Sequence, residues 1–131
     1  SRGLGDVYKR QSDQRNQTWL ELEHKYRPWI DFDNLPFYGR GAGWQRQLHI
    51  YECPFYYIDY CLSTMAALQF FLLSLHDQKD AWERYLRLVR RAGTASYTEL
   101  CETAGLQVPF RDGSIKAIAQ QMSQWIAGHQ V

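Results

Sequence analysis

Between Pro54 and Leu75 the chain carries one charge, Asp59, in a run of apolar and aromatic side chains broken only by Tyr, Ser, Thr and Gln. A stretch this long without a turn signal is too long for a strand and predicts a helix. Its length is enough to cross a membrane. The polar residues scattered along it, and the lack of a flanking Lys/Arg cluster, point instead to a buried central helix. Pro54 is expected at the first helical position, where its missing N–H would be unpaired anyway. Ile58, Leu62, Met65, Leu68, Leu72 and Leu75 then form a core stripe. Tyr56 and Tyr60 are four residues apart and Tyr57 and Tyr60 three apart, so both pairs, continued by Ser63, are expected on one other side.

The remaining segments also read as helices. Trp19, Leu22 and Tyr26 recur at helical steps, with Ser12 or Asp13 as a cap and Pro28 as the stop. Residues 28–43 are expected as a long connection, and the alternating Gly39, Gly41 and Gly43 as a flexible flap. A phosphate loop does not fit, because no Gly-Lys-Ser/Thr follows and no strand precedes. Trp44, Leu48 and Tyr51 suggest a short helix leading to Pro54. Asp77 caps a helix bearing Trp82, Tyr85, Leu86 and Val89 that ends near Gly93. Ser96 and Glu99 form a capping box, with Gly105 as the stop. Ser114 opens a last helix with Ile115, Ile118, Met122, Trp125 and Ile126 on one face. Nothing alternates with period two, so the fold class is all-α.

Residues 1–11 show neither period and look like a foreign, adapter-derived or disordered leader, leaving 12–131 as the helical portion. Net charge is +1 without a basic block, which argues against a nucleic-acid surface. The three cysteines, Cys53, Cys61 and Cys101, make no Cys-x-x-Cys pair and read as reduced thiols, Cys53 and Cys61 as inert core groups on or near the central helix. With no export leader visible, a cytoplasmic location is expected.

His49 lies just ahead of the tyrosine-bearing helix. An imidazole and several phenols are the donors an enzyme uses to hold a peptide backbone or an oxyanion, and a free phenol, with a pKa near ~10, is a protonated donor at neutral pH. The same tyrosines also suit plain packing with wet hydroxyls. His24 beside Glu21 and Glu23, and His49 near Glu52, are isolated pairs that charged helix surfaces readily produce. No metal site is therefore expected within the chain. No HExxH occurs in it.

The string from Trp44 to Tyr60, with His49 followed by Pro54-Phe55-Tyr56, resembles the substrate-binding end of oligoendopeptidase F-type zinc metallopeptidases, relatives of thimet oligopeptidase. The stretches Tyr85–Gly93, Glu99–Leu106 and Pro109-Phe110 resemble that family's closing helices, so the likeness covers roughly residues 16–127. The resemblance implies the C-terminal helical part of a mostly helical, zincin-type peptidase domain. It implies that His49 and Tyr60 assist catalysis, and that Tyr56, Tyr57 and Ser63 contact substrate. Either Tyr56 or Tyr57 takes the family's inner tyrosine position. The full enzyme would use zinc, with none bound by this piece. Its partners would be short peptides and the missing upstream half of the catalytic domain, with no nucleic acid and no membrane. A non-catalytic helical module that binds a peptide or protein is the other reading.

Overall fold

The computed structural model describes residues 12–32 and 34–129, and the expected leader at 1–11 lies outside them. Among the described residues there are helices and no strands. The chain divides into two compact units, residues 1–56 and 57–131.

In the first unit, α1 spans Ser12–Tyr26, α2 is the single turn Pro36–Gly39, a 3₁₀ turn follows at Ala42–Arg46, and α3 spans Leu48–Glu52. Helix α1 stops ahead of Pro28, as expected, but Asp13 sits inside its first turn rather than capping it. Of its expected stripe, Trp19 is half-buried while Leu22 and Tyr26 stay exposed. The 28–43 connection is shorter than expected because Pro36 starts α2. The expected helix at Trp44–Tyr51 is split at Gln47, whose extended backbone ends the 3₁₀ turn and precedes α3.

The glycine segment is not a flap. Gly41, Ala42 and Gly43 are buried. A Cβ on Gly43 would lie 2.8 Å from Trp19 Nε1, and Gly41 has φ +76°. Trp44 Nε1 donates to Asn16 Oδ1 at 2.8 Å, and the Arg15 guanidinium lies over the Trp44 ring. These glycines let the 3₁₀ backbone approach α1 closely.

In the second unit, α4 spans Tyr57–His76, α5 Gln78–Arg91, α6 Tyr97–Ala104 and α7 Ser114–Gly128. The punctuation follows the sequence. Asp77 accepts from Asp80 N–H, Ser96 and Glu99 form a reciprocal capping box, and Gly105 ends α6 in the left-handed region. Ser114 opens α7 as expected, with Gly113 in the capping position. Cys101, Ala104, Leu106 and Val108 make the core, with Ala66, Phe70, Leu73, Leu88 and Tyr97 packed on it. On α7, Ile118 is buried and Trp125 meets Phe71 edge-on at 4.8 Å, while Ile115 and Ile126 are exposed.

Two expectations for the central helix fail. Pro54 does not start it. Phe55 adopts φ +73°, which no helix accommodates, and Tyr56 N–H closes a turn onto Cys53 C=O at 3.1 Å. Nor is α4 buried here, since Gln69 is its one buried residue and Ile58 and Leu75 are exposed. It is long and apolar enough to cross a membrane, with a mean hydropathy of 1.5 and 6% of that window buried. Cys53 and Cys61 are exposed as well; only Cys101 is a core thiol, and burial pushes its pKa up.

Gln69 fastens α4 to the loop after α6. Its Oε1 accepts from Gln107 N–H at 2.7 Å, and its Nε2 donates to Gln107 C=O at 3.1 Å. Gln69→Leu would leave both backbone groups without these partners. We expect it to cost about 2–4 kcal/mol in urea unfolding, and a loss below ~0.5 kcal/mol, typical of a surface change, would refute this role.

Candidate substrate-binding site

The first turns of α4 present phenols because Tyr57 and Tyr60 are three residues apart, one helical step along the same side. Their rings meet edge-on at 5.6 Å, with both residues about half exposed. Ser63 is exposed, and its hydroxyl donates to Tyr60 C=O at 3.1 Å. Its single O–H is thereby engaged, and its lone pairs remain to accept.

Tyr56 is not on this helix. It ends the turn that Phe55 makes possible, so the expected four-residue helical pair with Tyr60 does not form. Instead, Tyr56 stacks on His49 of α3, centroids 5.5 Å apart and rings 3° from parallel. His49 is half-buried and Tyr56 exposed. In the same unit, Tyr51 stacks on Trp44 at 6.2 Å. The residues singled out from sequence thus form an imidazole–phenol stack in the first unit and a phenol pair with Ser63 in the second. Tyr56 pairs with the histidine, and Tyr57 with Tyr60.

Among the described residues, no group of three or more His, Cys, Asp or Glu is placed to hold a metal ion. Glu23, beside His24 in sequence, is buried and instead grips Arg27 through both carboxylate oxygens. The described residues do not fit a zinc ion.

Two side chains matter that sequence reasoning misses. In the sequence Gln69 is one polar interruption among several, and Tyr97 carries no signal beyond its place after a cap. Tyr97 is half-buried and donates its hydroxyl to Leu62 C=O at 2.8 Å. Burial, with the Cys101 thiol beside it, holds this phenol well above the ordinary range, so it stays a donor. No local signal foretells either bond, because the partners are 35 and 38 residues away.

A groove of 640 Å³ lies at the α4–α5 corner, lined by Phe70, Ser74, Gln78, Lys79, Ala81, Trp82 and Tyr85. It sits roughly 20 Å along α4 from the Tyr57–Tyr60 pair at ~1.5 Å per residue.

No protein-family model matches the chain, and no curated protein does. Solved structures do. One, a PZ peptidase A with an inhibitor, is 40% identical with a TM-score of 0.83, and the match covers 90% of this chain and 21% of that one. Another, an oligoendopeptidase F, is 35% identical with a TM-score of 0.88, covering 95% of this chain and 22% of that one. By sequence and fold, the chain is similar to a segment of these peptidases. It spans about a fifth of the length of these relatives.

Proposed function

We propose that the chain forms the substrate-holding part of a zinc-dependent oligopeptidase. The observation that carries this is the exposed Tyr57–Tyr60 pair on the first turns of α4, in a chain 35–40% identical to peptidases. In this reading the Tyr60 hydroxyl donates to the oxyanion that develops on the scissile carbonyl, and His49 is a donor to substrate main chain. Tyr56 keeps the His49 ring in place by stacking. Tyr57 and Ser63 line the approach to Tyr60. Such donors accelerate a reaction when they bind charge that exists only in the transition state. The metal, which would polarise the carbonyl and activate water, would be held by residues outside this sequence. The same absent part would cover the exposed apolar side of α4, whose exposure suits a missing partner surface.

A quenched short peptide incubated with the purified 131-residue chain and added zinc is expected to stay intact. Chelator-sensitive cleavage would overturn the division of labour proposed here. The alternative is a helical module that binds peptides without chemistry. The coding sequence upstream of residue 12 separates the two. An in-frame HExxH with a later glutamate ligand supports the peptidase, and a nearby start or stop codon supports the module.

A further inference from the structure

We propose that Tyr97 is a positioning residue for the tyrosine face: by donating its hydroxyl to the Leu62 carbonyl, it sets the rotation of the first turns of α4 and so the aim of Tyr57 and Tyr60. This rests on the reading of that face as a set of donors to peptide. The bond is 2.8 Å long and joins the first residue of α6 to the second turn of α4. A carbonyl inside a helix keeps a second lone pair, so the bond adds to the helical ladder instead of competing with it.

Tyr97 is itself firmly held. The capping box fixes the backbone next to it, with Ser96 N–H donating to Glu99 Oε2 at 2.8 Å. Its ring packs against the Cys101–Ala104 core and meets Phe110 edge-on at 6.3 Å. The Gln69–Gln107 bonds and the Phe71–Trp125 contact lie about two turns or more further along α4. The Tyr97 bond therefore acts where the phenols are. A tyrosine oxygen stands roughly 8–9 Å from its helix axis, so a 10° rotation carries it about 1.5 Å. A displacement of ~1 Å at a reacting group is enough to lose on the order of 10²-fold in rate. Leu62 and Tyr97 thus control the donors without touching substrate.

The test is a double-mutant cycle in an oligoendopeptidase F whose matching segment is exchanged for residues 12–129 of this chain. Tyr97→Phe keeps the ring and its packing. It is expected to lower kcat about 10- to 100-fold with KM within ~3-fold. Combined with Tyr60→Phe, it should slow the enzyme little beyond Tyr60→Phe alone, because the two act through one group. Full kcat in Tyr97→Phe, or losses that simply multiply, would overturn the role of Tyr97 while leaving the donor reading intact. An undiminished kcat in Tyr60→Phe would overturn the donor reading itself. Hydrogen exchange on the 131-residue chain gives a second readout, with amides 60–66 expected to exchange about tenfold faster in Tyr97→Phe. If the chimera is inactive, acceleration confined to that stretch supports the proposal and unchanged exchange overturns it.

Discussion

In an intact peptidase carrying this segment, Tyr60→Phe is expected to lower kcat by on the order of 10²–10³, with KM changed only a few-fold. The substitution removes one oxygen and keeps the ring, so the edge-on contact with Tyr57 survives. On the proposed reading it removes a donor from where charge appears during reaction, and such a loss falls on kcat and kcat/KM together. A rise in KM with unchanged kcat would mean that Tyr60 merely binds substrate. Steady-state kinetics on short quenched peptides distinguishes the outcomes, and near-normal kinetics would remove Tyr60 from the chemistry.

Gly41→Ala is expected to be the most damaging small change to the first unit, at about 3–5 kcal/mol. Two effects add. An alanine at φ +76° carries the left-handed penalty of roughly 1–2 kcal/mol. Its Cβ would also stand 2.8 Å from the Asn16 carbonyl carbon and closer still to the oxygen, which is backbone and has no rotamer to escape into. Relief requires the 3₁₀ turn to leave α1, which breaks the Trp44–Asn16 bond. Gly93 provides the control. It has φ +79°, but a Cβ there would meet nothing within 4 Å, so Gly93→Ala should show the conformational penalty alone. Urea unfolding of the full chain, followed by tryptophan fluorescence, measures both. Equal losses at the two positions would show that the glycine segment does not pack on α1 as described.

Local chemistry is legible in the sequence wherever the cause is local. Asp77, the Ser96–Glu99 box and Gly105 act within one turn of themselves, and each does what its residue type predicts. The all-α class follows from periodicity for the same reason. Expectations fail where a distant contact or one backbone torsion decides the outcome. The left-handed Phe55 moves the start of α4 past Tyr56 and gives that ring to His49. The 39–43 glycines signal mobility, whereas Gly41 and Gly43 are explained by the closeness of Asn16 and Trp19. The α4 stripe correctly marks an apolar side, but composition carries no information on what covers it. The candidate tyrosines stand out because helical spacing and a family resemblance converge on them; Tyr97 does not, because its importance lies in a bond across 35 residues.

The most direct test of the central claim is a crystal structure of the intact peptidase carrying this segment, bound to a peptide analogue of the tetrahedral intermediate. The account predicts the Tyr60 hydroxyl at about 2.7–3.1 Å from the oxygen that mimics the oxyanion. An analogue bound with the Tyr57 and Tyr60 hydroxyls both beyond hydrogen-bond reach, facing solvent or packed against protein, would contradict it.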